Sequence, residues 1–212
     1  MLLAFDTSTH AVTVAIHDGL TVLAESTVVD ALRHGELLAP GIEAVLSETG
    51  VTPAALTRVV VGVGPGPFTG LRVGIVTART MGAVLSIPVT GVCSLDVLAV
   101  QAVDDGSVDG PFVVATDARR KEVYWARYDD RGRRVDGPHV AKPDQLGSRL
   151  PVVGRGATLY PDELGIAHAP ENPSAAVLAG CVVAERVPLL DPEPLYLRRP
   201  DVAVPGRRKS VS

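Results

Sequence analysis

The sequence predicts an α/β protein of two lobes, each a mixed sheet flanked by helices. Three observations carry this. Apolar residues make up 46% of the 212, with only 4% aromatic and 21 glycines, so the core is built from Val, Ala and Leu. Residues Val59 to Met81, VVVGVGPGPFTGLRVGIVTARTM, give a β-branched strand, a Gly/Pro turn and a helix in succession. Finally, a shift of 111 residues lays the run Phe112–Asp117 over the run that ends at Asp6, and matches Val12 with Val123, Ala15 with Ala126 and Asp18 with Asp129. The order of strand, aspartate, turn, strand and Asp/Gly turn recurs, which indicates an internal duplication.

Taken in order, Leu2–Phe5 is an apolar strand ending at Asp6-Thr-Ser-Thr9. In Ala11–Ile16 the residues Val12, Val14 and Ile16 share one face, and Asp18-Gly19 is a hairpin turn leading to a third strand, Val22–Glu25. Leu37, Leu38, Ile42, Val45 and Leu46 repeat at helical spacing, with Gly50 as C-cap, and Thr52-Pro53 starts a short turn. In the stretch from Val59, Thr69 is placed to cap a helix from Leu71. Backbone N–H groups at such a turn favour an anion, which makes Gly64, Gly66, Thr69 and Gly70 a phosphate-loop candidate, although no Lys-Ser/Thr pair follows as in a Walker loop. In the helix, Gly74, Ala78 and Gly82 recur at every fourth position and form a nearly bare stripe. Such a stripe suits a close partner helix, or equally the protein's own sheet.

Val89–Val92 forms the next strand, followed by a helix capped by Ser94. The polar segment Asp104–Pro111 reads as a hinge between a lobe of residues 1–105 and a smaller one of residues 106–200. Pro151-Val-Val-Gly-Arg-Gly156 repeats the strand-to-glycine theme, Ala175–Arg186 is a helix, and residues 201–212 are a basic, Pro-containing tail.

The net charge of −4 gives no general attraction to nucleic acid. Neither a leader peptide nor a membrane span is expected, which places the protein in the cytoplasm, and the two cysteines suit a reducing compartment. No Gly-x-Ser-x-Gly elbow or His-Glu-x-x-His helix is present, so serine hydrolase and zinc protease chemistry lack their residues.

Asp6-Thr-Ser-Thr, Gly64-Pro-Gly-Pro-Phe-Thr-Gly-Leu-Arg72, Asp117-Ala-Arg with Glu122-Val-Tyr-Trp125, and Pro194-Leu-Tyr-Leu-Arg198 together resemble the bacterial TsaB (YeaZ) family. The resemblance implies two ribonuclease-H-like lobes of the actin/Hsp70/sugar-kinase superfamily. It also implies a scaffold role beside a TsaD catalytic subunit, with a TsaE-like ATPase, in making N6-threonylcarbamoyladenosine in tRNAs that read codons starting with A. TsaD-like relatives hold a metal through His-x-x-x-His on the first long helix; here His34 is followed four residues later by Leu38, so no metal site is expected. On this reading no residue is catalytic. The partner face comprises His34, Leu38, Arg72, Gly74, Ala78 and Gly82, and the same face makes a homodimer when the chain is alone. Asp6, Thr7, Asp117 and the Gly64–Gly70 loop are then a vestigial nucleotide site, with ATP or ADP, if any, at a complex interface. Asp6 and Asp117 have a second reading as turn-capping residues, since Asp commonly bonds its own backbone at turns. The alternative function is an ATP-dependent phosphotransferase or ATPase acting alone through Asp6, Asp117 and the loop. A weaker idea is tRNA contact through Arg198, Arg199, Arg207, Arg208 and Lys209.

Overall fold

A computed structural model describes residues 1–147 and 149–198. The first sheet comes from strands β1 (Leu2–Asp6), β2 (Ala11–His17), β3 (Val22–Val29), β4 (Arg58–Gly62) and β5 (Val89–Val92), with helix α1 (His34–Thr49) before β4 and α2 (Phe68–Leu85) before β5. Helix α3 (Ser94–Asp104) leads to a second sheet of β6 (Phe112–Asp117), β7 (Val123–Tyr128), β8 (Arg134–Ala141), β9 (Val152–Val153) and β10 (Ala167–His168). The short helices α4 (Arg155–Leu159) and α5 (Pro161–Leu164) precede β10, and α6 (Ala175–Val183) follows it.

The duplication is explicit in the topology. The sheets run β3-β2-β1-β4-β5 and β8-β7-β6-β9-β10, each with two antiparallel pairings and then two parallel ones. This is the ribonuclease-H-like order, found twice. The uniform shift of 111 needs correction. Asp6 pairs with Thr13 and Asp117 with Val123, so β1 maps on β6 at 111 but β2 maps on β7 at 110. The second hairpin turn is one residue shorter. Because side chains alternate across a strand, the matches of Val12 with Val123 and Ala15 with Ala126 link residues on opposite faces.

Helices α1 and α2 cover the outer face of the first sheet, where Leu3, Phe5, Val14, Val59 and Val61 meet Leu38, Val45, Leu71 and Ala78. Gly50, in the left-handed conformation, ends α1 as the sequence predicts. Two boundaries move. α2 starts at Phe68 with Pro67 in the cap position, leaving Thr69 exposed in the first turn, and α6 stops at Val183 rather than Arg186.

The lobes are not consecutive blocks of chain. Helix α3, from the first lobe, buries Leu95, Leu98, Ala99 and Ala102 against Phe112, Val114, Ala126 and Tyr128 of the second sheet. Helix α6 returns to the first sheet, where Leu178, Ala179 and Val182 pack on Leu2, Ala4, Val60 and Val92. Beyond it, Leu190 bridges Gly91 of β5 and the Leu195 N–H donates to the Val63 carbonyl. A second lobe of residues 106–200 is thus overturned from Ala175 on among the described residues, because the apolar face of α6 matches the inner face of the first sheet. The proposed tail, residues 201–212, lies outside the described residues.

Candidate functional site

Asp6 ends β1 as a buried carboxylate, 1% exposed. Its Oδ1 accepts the Ser8 N–H at 2.7 Å, closing a local turn, and its Oδ2 accepts the Ser94 hydroxyl at 2.5 Å. Ser94 therefore does not cap α3, whose cap position is Cys93; its hydroxyl instead serves Asp6 and accepts the Gly64 N–H at 3.2 Å. Burial raises the Asp6 pKa, and the hydrogen bonds from Ser8 and Ser94 partly offset this. Gly62 completes the enclosure, since a Cβ there would overlap the Asp6 carboxylate.

Asp117 repeats the turn at the end of β6, where its Oδ1 accepts the Arg119 N–H at 2.7 Å. Both aspartates thus hold the turn-capping role weighed from the sequence. The Asp117 Oδ2 also lies 3.7 Å from Nε2 of His10 and 3.4 Å from Arg119, so this carboxylate joins the two lobes. Burial and the nearby Arg155 and Arg119 lower the His10 pKa. The space between the lobes at Ser8, His10, Asp117 and Arg155 is a cavity of about 10 Å³. That is room for about one water, not for a nucleotide.

The Gly64–Gly70 loop is equally occupied. Pro65 and Pro67 carry no N–H, and the Gly64 N–H is taken by Ser94. Gly66 lies so close to Ser8 that a Cβ would overlap the Ser8 carbonyl. The Thr7 hydroxyl enters the first turns of α2, donating to the Gly70 carbonyl at 2.8 Å and accepting the Gly74 N–H at 3.1 Å. The loop is held by protein groups where a phosphate loop holds its ligand.

The bare stripe faces inward. A Cβ on Gly74 would sit 2.5 Å from the Thr7 Oγ1, Ala78 is fully buried, and a Cβ on Gly82 would overlap Val89. Leu38 is part of the same core, and His34 is buried with its Nε2 2.7 Å from the Thr9 carbonyl. Five of the six residues assigned to a partner face are therefore internal: Gly74, Ala78 and Gly82 because α2 closely approaches the sheet, and His34 and Leu38 because α1 packs on the same side. Arg72 alone faces out. Its guanidinium lies 3.7 Å from the Phe68 ring centre, and its Nε donates to the Tyr196 hydroxyl at 2.8 Å.

The outer surface of these helices is grooved, with apolar residues among charged ones. One groove, between α1 and α2, is lined by Ile42, Leu46, Val51 and Met81. Another, between α2 and the chain at Glu193–Tyr196, is lined by Ile75, Val76, Ala83 and Val84 with Arg72, Arg79 and Glu193 at its sides. Val76 and Val84 between them are 60% and 77% exposed. Sequence reasoning missed this face, and also Ser94, Phe68 and Tyr196. A usable signal was the helical spacing of Val76, Thr80 and Val84, one face round from the stripe. Among the described residues no helix is long and apolar enough to cross a membrane, and no group of three His, Cys, Asp or Glu side chains is placed to hold a metal.

Fold and site define a class: a duplicated ribonuclease-H-like protein whose first-strand aspartates are turned inward and whose space beside the Asp117 turn, at Ser8, His10 and Arg155, holds no more than about one water. A family model described as TsaD, tRNA N6-adenosine threonylcarbamoyltransferase, matches residues 22–154. The chain is 31% identical to the tRNA threonylcarbamoyladenosine biosynthesis protein TsaB of Escherichia coli, over 76% of this chain and 74% of that one. It is 46% identical to an uncharacterized protein of Mycobacterium tuberculosis, over 94% of this chain and 92% of that one. YeaZ from Pseudomonas aeruginosa superposes with a TM-score of 0.79 at 29% identity, over 92% of this chain and 99% of that one. The chain belongs to the TsaB (YeaZ) family.

Proposed function

We propose that this chain is a non-catalytic subunit that binds a TsaD-family catalytic subunit for the threonylcarbamoylation of tRNA. A role in that pathway follows from the family, whose members in Escherichia coli and Haemophilus influenzae carry the name of tRNA threonylcarbamoyladenosine biosynthesis. The observation that carries the docking reading is the outer face of α1 and α2. Two grooves run along α2, one of them edged by the exposed Val76 and Val84, which suits amphipathic partner helices laid alongside. The burial of Asp6 and the small space beside Asp117 support the non-catalytic role, because the kinase-like alternative needs both carboxylates open to a nucleotide. On this reading the tRNA is the substrate of the complex, a TsaE-like ATPase is its third member, and the same face accounts for self-association when no partner is present.

The test is co-purification with the TsaD-family subunit, followed by a tRNA modification assay with and without this chain. Val76→Glu with Val84→Glu changes only exposed positions. The pair is expected to abolish the complex and the modification while the free subunit keeps its circular dichroism. An unchanged complex would sink the docking face, and full modification without this chain would sink the role.

A further inference from the structure

A second cavity, of about 400 Å³, lies apart from the two grooves in chemistry although it touches one of them at Tyr196. It opens between the start of α2 and the β6–β7 turn, so both lobes contribute. Among the described residues its lining includes Phe68, Tyr124 and Tyr196 together with Arg119, Arg120 and Arg198, and no carboxylate. Phe68 and Tyr196 are stacked with centroids 5.2 Å apart, yet are 43% and 41% exposed. Exposed stacked rings are notable in a chain with only three phenylalanines and four tyrosines.

The turn opposite them is built in an unfavourable conformation. Arg119, Arg120 and Lys121 have φ values of 60°, 56° and 59°, three successive side-chain-bearing residues in the left-handed region. The turn is closed by the Ala118 N–H donating to the Glu122 carbonyl at 3.0 Å, the Glu122 N–H donating to the Arg119 carbonyl at 3.0 Å, and the Asp117 carboxylate on the Arg119 N–H. Arg198 fastens it from outside through the Ala118 carbonyl at 2.9 Å and an ion pair with Glu122. The outcome is a rigid tip with three adjacent, exposed cationic side chains on a protein of net charge −4. Among the described residues, Asp117 pairs with Arg119 and Glu122 with Arg198. Strain retained in a turn indicates that the side chains it presents are used.

Partly exposed rings, with the Arg72 guanidinium over Phe68, beside a fixed cationic tip form an arrangement that takes a nucleic-acid strand, with base on ring and phosphate on arginine. We propose that this cavity receives an unpaired nucleotide of RNA, its phosphate at Arg119 and Arg120 and its base against Phe68 and Tyr196. The inference rests on the functional reading above, which supplies tRNA as the RNA.

The test uses the complex with the TsaD-family subunit and measures tRNA binding by fluorescence anisotropy over a range of salt concentrations. Arg119→Gly with Arg120→Gly removes both cations and leaves residues that adopt positive φ freely, so the turn is kept. Affinity is expected to fall about tenfold, with the salt slope reduced by about 0.7 for one phosphate of a single strand. Arg131→Ala with Arg133→Ala, an equal charge loss on the β7–β8 turn, is expected to change little. A single-stranded oligonucleotide with the anticodon-loop sequence should compete with tRNA, and free ATP at equal phosphate concentration should not. Three results would each overturn the site: binding unchanged in the Arg119/Arg120 variant, an equal loss in the Arg131/Arg133 variant, or displacement by ATP alone. Failure of the unmodified chain to form the complex would instead overturn the functional reading.

Discussion

Asp6 shows how one residue changes meaning with its surroundings. At the end of a first strand an aspartate is placed to meet magnesium or phosphate, and the sequence permits that reading. Here Ser8, Ser94 and the missing side chain at Gly62 enclose it. Since burial raises its pKa, the native state holds the proton more tightly than the unfolded chain does. Its stabilising share is therefore present at acid pH and is lost as pH rises from the ordinary carboxylate range through the raised value. Asp6→Asn keeps an acceptor for the Ser8 N–H and cannot ionise. The stability of Asp6→Asn relative to the parent is expected to improve as pH rises from 3.5 to 7, read from urea midpoints, and a constant or declining difference would refute the buried-charge account. Gly62→Ala should cost about 3 kcal/mol, because the new methyl meets a carboxylate that has nowhere to move. What the sequence made legible was the aspartate and its turn. It did not show that Ser94, 88 positions away, would become its partner, because a serine before a helix looks like a cap whatever it bonds.

At the scale of elements, α2 was legible as a helix and its glycine stripe as a close-packing surface, but not which neighbour it packs on. The side that resolves this is Thr7, whose hydroxyl sits between the Gly70 carbonyl and the Gly74 N–H. A helix can admit an outside hydroxyl there only if neither position carries a side chain. Gly74→Ala is expected to destabilise by about 2 kcal/mol through the clash with Thr7. Thr7→Ala alone should cost about 1 kcal/mol for the lost hydrogen bonds. Combined, the two substitutions should be less harmful than their sum, because removing the hydroxyl makes room for the methyl. Additive losses in chemical denaturation would mean that the stripe serves something other than Thr7. The partner surface escaped sequence reading for a related reason. Val76 and Val84 are common residues on a helix already credited with a buried face, and only the sheet behind α2 shows which face is left over.

Over the whole molecule, the duplication was legible from the order of elements, while the division into two consecutive lobes was not. Periodicity identifies α3 and α6 as apolar helices, but a helix that is apolar on most sides does not declare which sheet it covers. The structure exchanges them: α3 closes the second sheet and α6 the first. Glu25 of β3 reinforces the return of α6 by accepting the Ser174 hydroxyl at 2.7 Å and the Ala176 N–H at 3.1 Å, a carboxylate at a helix start. A chain interlocked in this way has no lobe that keeps a complete core when separated. Residues 1–105 expressed alone leave Leu2, Ala4, Val60 and Val92 without Leu178, Ala179 and Val182, and should aggregate. The full chain should unfold as one cooperative unit. Trp125, the single tryptophan, reports on the second sheet alone, whereas far-UV circular dichroism reports on both. In urea the two signals are expected to share one midpoint. If the tryptophan signal moves first while most of the helical signal remains, the lobes fold independently and the exchanged helices do not couple them.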